Sequence, residues 1–156
     1  MRIGLISDTH NLLRPQALAQ LAGSDHIIHA GDICDAGVLT ALEKIAPVTA
    51  VRGNNDRGAW ASRLQETERL QLGSTCFYVL HDLAQLDIDP ASCGVQVVVC
   101  GHSHKPLVER RGSVLYINPG SAGPRRFKLP ISVAELLIEG DAVSARIIEL
   151  PDASVG

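Results

Sequence analysis

The chain has 156 residues, enough for one compact domain over 1–156, and its 46% hydrophobic content excludes wholesale disorder. Aromatics are only 3%, so the core must be built from Val, Leu, Ile and Ala. The formal net charge is -3 and no Lys/Arg run exceeds a pair, which argues against extended nucleic-acid binding through a basic surface.

Residues 2–7 read as a buried strand. The apolar lead Met1–Ile6 is too short for a signal peptide, and no run reaches membrane-spanning length. The expectation is no membrane association and a cytoplasmic location. Pro15 suits a first helical turn and predicts a helix over 15–22. Residues 26–30 read as a second strand. Val38, Leu39, Leu42 and Ile45 recur at helical spacing over 36–46. Pro47 ends that helix, and 48–52 form a third strand. Strand-helix-strand-helix-strand is the signature of a parallel α/β sheet. Further on, 67–72 and 75–81 are strands split by Gly73-Ser74, a hairpin signal. Residues 83–88 predict a short helix ended by Pro90, and 95–100 another buried strand. Strands over 113–118, 131–139 and 142–149 follow, the last two joined at Gly140-Asp141. The C-terminal half is therefore expected to be mostly antiparallel, within an α/β domain of two sheets.

The four cysteines, Cys34, Cys76, Cys93 and Cys100, form no Cys-x-x-Cys pair. Reduced core thiols are expected, with Cys34 close to the site and no zinc-thiolate role.

Five polar pieces punctuate this pattern: Asp8-Thr9-His10, Gly31-Asp32, Gly53-Asn54-Asn55-Asp56, His81 and Gly101-His102-Ser103-His104. Each follows an apolar, β-branched run. Open α/β sheets gather ligand sites beyond the C-terminal ends of their parallel strands, so these residues can meet on one edge. Asp8, His10, Asp32, Asn54, His81, His102 and His104 supply two carboxylates, one amide and four imidazoles, a set suited to divalent metals. That suffices for two ions with positions left for water and substrate. Two such ions and two carboxylates leave a net positive site, which suits a phosphate ester. Two such ions would be expected to supply a hydroxide for in-line attack on phosphorus.

At these residues the chain resembles the calcineurin-like metallophosphoesterases, in particular their small single-domain bacterial and archaeal phosphodiesterases. The match runs from Asp8 to Ser121 and includes Asn118-Pro119-Gly120-Ser121. The resemblance implies an α/β fold, a four-layer αββα sandwich with two mixed β-sheets. It implies a first metal bound by Asp8, His10, Asp32 and His104, and a second bound by Asp32, Asn54, His81 and His102. It places Asn54, Asn55, Asp56 and His102 among the catalytic residues. Manganese is the first expectation for both ions, with Ni, Fe, Zn or Mg as alternatives.

Two positions depart from the family pattern. Many phosphomonoesterases of the superfamily carry His where Asn55 stands. Asparagine is no general acid near neutral pH, and losing one costs about 10²–10⁴-fold, most for poor leaving groups. A small phosphodiester is therefore favoured over an ordinary monoester. His81 is followed by Asp82, where the family usually has Gly. The alternative functions are a phosphomonoesterase, or a catalytically weak or inactive binding scaffold like the related retromer subunit, whose metal ligands are eroded; here every ligand position is filled.

Smaller expectations complete the reading. His26 is a hydrogen-bonded strand residue, and His29 is that or a partner of a ligand. Asp56 braces a turn or orients Asn55 or a nearby His. Arg52, Arg57, Arg125 and Arg126 are surface residues with phosphate contact as the minority reading. Trp60 and Phe127 pack. Edge strands near the C-terminal hairpin could pair between chains to form a homo-oligomer.

Overall fold

A computed structural model describes residues 1–126 and 128–151. Phe127 lies outside the described residues. In chain order the elements are β1 (Arg2–Ile6), α1 (Pro15–Leu21), β2 (His26–His29), α2 (Ala36–Glu43), β3 (Val48–Ala50), β4 (Thr67–Leu72), β5 (Thr75–Leu80), β6 (Val97–Val99), β7 (Leu107–Arg111), β8 (Val114–Asn118), β9 (Ser132–Glu139) and β10 (Ala142–Glu149). They form two five-stranded sheets, β10-β9-β1-β2-β3 and β4-β5-β6-β8-β7. Both are mixed. In the first, β1, β2 and β3 are parallel, and β9 and β10 extend the sheet antiparallel.

The C-terminal half is mostly antiparallel as expected, through β4–β5, β7–β8, β9–β10 and β1–β9, but the second sheet has a parallel centre. β6 is parallel to both its neighbours, β5 and β8. Only the hairpins β4–β5 and β7–β8 are antiparallel there. Strand β7 is missing from the sequence reading. Its Leu-Val-Glu-Arg-Arg stretch is mostly exposed and lies at a sheet edge, so it carries no apolar alternation. The helix expected over 83–88 is a single 3₁₀ turn, Leu83–Gln85, capped by the Asp82 carboxylate on the Ala84 N–H.

Alternate residues of β1 face opposite layers, as the two-residue period of a strand requires. Ile3 and Leu5 pack between the sheets with Phe77, Val79, Val97 and Ile117. Ile6 packs instead beneath the helices, with Leu21, Val38 and Leu42. The outer face of the second sheet carries Tyr78, Leu80, Val98 and Tyr116, covered by Leu83, Leu86 and Ile88. The layers are therefore helix, sheet, sheet and a thin outer layer. Pro15 opens α1 at its first turn, and the Asp35 carboxylate caps α2 at the Gly37 N–H. All four cysteines are free. Only Cys100 is buried, so the expected core placement does not hold for Cys34, Cys76 and Cys93.

No helix among the described residues is long and apolar enough to cross a membrane. The parallel arrangement carries the loops after β1, β2, β3 and β6 to one edge of the molecule.

Candidate metal centre

The loop after β1 delivers Asp8 and His10, and the loop after β2 delivers Asp32. His81 follows β5, and His102 and His104 follow β6. Their reactive atoms converge. His10, His81 and His104 present Nε2 atoms at 3.8, 3.8 and 3.4 Å from Asp8 Oδ1. Asp32 Oδ2 lies 3.7 Å from His10 Nε2 and 3.3 Å from His81 Nε2. Two overlapping groups result, Asp8–His10–His104 and Asp8–Asp32–His81, each with ligand atoms mutually within 4.8 Å. Asp8 is common to both, whereas the sequence resemblance shares Asp32; here the Asp32 carboxylate also reaches a histidine of each group.

Three of these atoms, Asp8 Oδ1, His10 Nε2 and His81 Nε2, are buried without a hydrogen-bond partner. Buried polar atoms are normally paired. Aimed at one another across a few ångströms, these fit a cation. The other end of each group is tied down. Asp8 Oδ2 accepts from Ser7 Oγ and the His102 N–H. His81 Nδ1 donates to the Ala30 carbonyl at 2.7 Å, which leaves the Nε2 lone pair facing the cluster. A side chain at residue 31 would collide with that imidazole. Gly31 has φ 104°, and a Cβ there would stand 2.7 Å from His81 Nδ1.

The backbone is strained where the candidate ligands sit. Asp8, His10, Asp32, His102 and His104 all have positive φ, between 44° and 70°. Non-glycine residues rarely adopt this region, and such strain gathers at functional sites.

Electrostatics favours ionised carboxylates. Burial raises the Asp8 carboxyl pKa, but the neighbouring His104 and His81 imidazoles and the Ser7 hydroxyl outweigh it and hold it below the usual range. Burial likewise opposes, and His81 and Asn55 together overcome it, to hold Asp32 far below that range. Burial pulls His10 down, toward the neutral form that can donate a lone pair.

The remaining expected residues separate. His102 is half-exposed, its ring 5.2 Å from that of His81, with Nε2 3.9 Å from Asp82 Oδ2. Asn54 is exposed in the wall of an open groove of about 730 Å³ that also contacts His81 and His102. Asn55 turns inward: its backbone N–H and its amide donate to the two oxygens of Asp32, both at 2.9 Å. The Asp56 carboxylate is turned away from the cluster. It accepts from the backbone N–H groups of Asp32, Gly53 and Cys34 at 3.0, 2.8 and 2.7 Å. It lashes the loop after β3 to the loop after β2. Arg52 lines the groove and pairs with Glu66, and Arg57 is exposed. Arg126 is exposed, and its charge depresses His10. Trp60 packs against the helical core. His26 bonds Thr49 Oγ1.

The structure shows what several supporting residues touch. Cys34 Sγ lies 3.6 Å from His10 Nδ1, the ring nitrogen opposite the cluster. Asn118 bonds the Gly101 carbonyl and Ser103 Oγ, and Ser121 Oγ donates to the Asp8 carbonyl. The shared Asn-Pro-Gly-Ser run thus braces two ligand loops. His29 is fully buried beneath the site. Its Nδ1 accepts from the Gly31 N–H, so its Nε2–H donates to Thr9 Oγ1, and that hydroxyl donates to the Ile33 carbonyl.

Burial pushes the His29 pKa down from 6.5 to about 3. The unfolded chain takes up a proton that the folded chain refuses. Stability is therefore full above pH 6.5 and is lost as pH falls toward 3, by up to ~5 kcal/mol. Thermal melts should show the melting temperature of the wild type falling more steeply with acid than that of His29→Gln. Parallel curves would contradict this account.

Comparison with known proteins agrees with the geometry. Residues 1–141 match the calcineurin-like phosphoesterase superfamily domain. A probable metallophosphoesterase of Methanothermobacter thermautotrophicus is 35% identical over 159 residues, covering 95% of this chain and 92% of the relative. The phosphodiesterase YfcE of Escherichia coli K12 is 28% identical, covering 99% and 95%. Among solved structures, vacuolar protein sorting 29 from Cryptosporidium parvum superposes with a TM-score of 0.83 at 21% identity, covering 97% and 92%. The chain belongs to the calcineurin-like phosphoesterase superfamily.

Proposed function

We propose that this chain is a phosphodiesterase that works with two divalent metal ions. The observation that carries the reading is the convergence of His10, His81 and His104 on the unpartnered Asp8 Oδ1, with Asp32 alongside. Two curated relatives named as phosphodiesterases support it. Asp8, His10, Asp32 and His104 would hold one ion. Asp32, His81, His102 and Asn54 would hold the other, with Asp8 Oδ1 within reach of both. Ions held there would supply a hydroxide nucleophile at neutral pH and positive charge for the phosphoryl oxygens.

The chain's own residues do the rest. Fixed carboxylates and imidazoles set where the phosphoryl group can sit, and the groove beside His81 and His102 leaves room for an ester arm. Asn54 and His102, exposed at its inner end, are the side chains best placed to meet substrate oxygens. Purified protein with Mn²⁺ is expected to hydrolyse bis-p-nitrophenyl phosphate. Absence of turnover with each of Mn²⁺, Ni²⁺, Fe²⁺, Zn²⁺ and Mg²⁺ would overturn the reading.

Position 55 bears on substrate choice. The Asn55 amide is not acidic enough to protonate a leaving alkoxide, and its N–H is spent on Asp32. Asn55→His is expected to raise the ratio of monoesterase to diesterase kcat/KM by about tenfold or more, within the range of general-acid effects. Activity of both variants on p-nitrophenyl phosphate and its bis ester measures the ratio; an unchanged ratio removes position 55 as the determinant.

A further inference from the structure

Among the described residues, two cavities adjoin the metal centre, and His102 stands between them. One is the groove already described, on the side of Asn54 and His81. The other, of about 370 Å³, lies on the side of the Leu83–Gln85 turn and the start of β7. His102 and Asp82 belong to the walls of both. Gly101 and Ser103 line the second cavity too, so it is built against the loop that carries His102 and His104. Its volume falls among those that hold small molecules, roughly 300–1,000 Å³.

The second cavity offers hydrocarbon and little else. Leu83, Pro106 and Leu107 are half-buried around it, and Cys100 is buried in its wall. The polar groups of the wall are already engaged. The Asn118 amide donates to the Gly101 carbonyl and to Ser103 Oγ, and its oxygen accepts the Gly120 N–H. Ser103 Oγ also accepts the Lys105 N–H, and the Cys100 thiol donates to the Ile117 carbonyl. One Asp82 oxygen caps the Leu83–Gln85 turn, and the other faces the His102 imidazole. Lys105, the remaining charged residue of the lining, is exposed. A polar group entering here gives up water without gaining a partner, whereas a hydrocarbon group gains by leaving water.

The groove differs in kind, with Arg52, Gln65, Glu66 and Thr67 in its wall. A phosphate monoester has one arm and a diester has two. A phosphoryl group held at the cluster beside His102 has a cavity on either side of that ring, one polar and one apolar. We infer that the second cavity is the subsite for an uncharged hydrocarbon arm, so that the substrate is an asymmetric phosphodiester with one hydrocarbon arm and one polar arm. This rests on the phosphodiesterase reading and adds the substrate class to it. Leu83 and Leu107 are the specificity-determining side chains, and neither belongs to the candidate ligand set.

The test sets dimethyl, phenyl methyl and diphenyl phosphate as competitors of bis-p-nitrophenyl phosphate hydrolysis by the manganese-loaded protein. Phenyl methyl phosphate is expected to bind about tenfold tighter than dimethyl phosphate, the gain from removing roughly 60 Å² of apolar surface from water. Diphenyl phosphate should add no more than the statistical advantage of two equivalent arms, because one cavity alone takes a ring. Leu83→Trp, which fills the cavity, and Leu107→Glu, which charges it, are each expected to erase the preference for phenyl over methyl. A second readout needs no turnover. Phenol titrated into the metal-free protein should shift the methyl resonances of Leu83 and Leu107 and leave the Thr67 methyl, in the groove, unmoved. Equal binding of dimethyl and phenyl methyl phosphate, an equal further gain from the second ring, a preference that survives both variants, or phenol titrations that leave Leu83 and Leu107 still would overturn the subsite, while turnover of bis-p-nitrophenyl phosphate keeps the phosphodiesterase reading. No turnover of any diester would overturn that reading and the ester-arm role of the cavity with it.

Discussion

Asp8→Asn is expected to lower kcat/KM on bis-p-nitrophenyl phosphate by about 10³-fold or more, with loss of bound metal and with the fold intact. The reason lies in how Asp8 is held. Oδ2 accepts the His102 N–H at 3.1 Å, so in the variant an oxygen must occupy that place. The amide NH₂ is then left facing His10, His81 and His104, where Asp8 Oδ1 stands now. An NH₂ group has no lone pair for a cation and brings its own positive hydrogens. The change removes one of the two carboxylates at the point where both ligand groups meet. Size and hydrogen bonding to Ser7 and His102 are retained, so the melting temperature of the metal-free protein should change little. Metal content by elemental analysis, measured beside kcat/KM and the melt, separates a ligand from a structural residue. Wild-type metal content together with wild-type turnover would remove Asp8 from the centre.

The sequence carried the ligand loops well because each piece sits at the end of an apolar run, and strand ends are where parallel sheets gather their loops. Asp8, His10, Asp32, His81 and His104 come together as their order in the chain suggests. The sheet pairing was less legible. Hairpin signals such as Gly73-Ser74 mark neighbours that are close in sequence, and β4–β5 and β9–β10 pair accordingly. Nothing local tells β6 that it lies between β5 and β8; that placement depends on packing between distant segments. Edge strand β7, charged and exposed, has no apolar stripe to announce it.

The same logic separates residues within the site. Ligand types declare themselves by chemistry, whereas supports declare themselves only by position. His29 reads either as a strand histidine or as a partner of a ligand, and only the structure shows its ring joining the loops after β1 and β2. Cys34 reads as a thiol close to the site, and its contact with the outer nitrogen of His10 appears only in the structure.

Asp56→Ala is expected to cost about 3 kcal/mol of stability, a fall of ~10 °C in melting temperature for a chain of this size, and to weaken metal binding as well. Asp56 is buried, and its two oxygens receive three backbone N–H groups, from Asp32, Cys34 and Gly53. Truncation leaves those donors without an acceptor, and each buried orphan costs about 1–3 kcal/mol unless water reaches it. Two of them belong to the backbone at Asp32 and Gly53, so the loops carrying Asp32 and Asn54 lose their common anchor. Asp32 sits at positive φ and needs that anchor to stay there. Asp56→Asn discriminates positioning from catalysis. Its carbonyl can still receive the Asp32 and Gly53 N–H groups that share Oδ2, while its NH₂ opposes the Cys34 N–H. The asparagine variant should recover part of the stability and metal affinity lost in the alanine variant, with turnover rising in step with metal occupancy. If Asp56 instead exchanged a proton with substrate, the asparagine variant would bind metal normally and still fail to turn over, and the pH–rate profile would lose a limb.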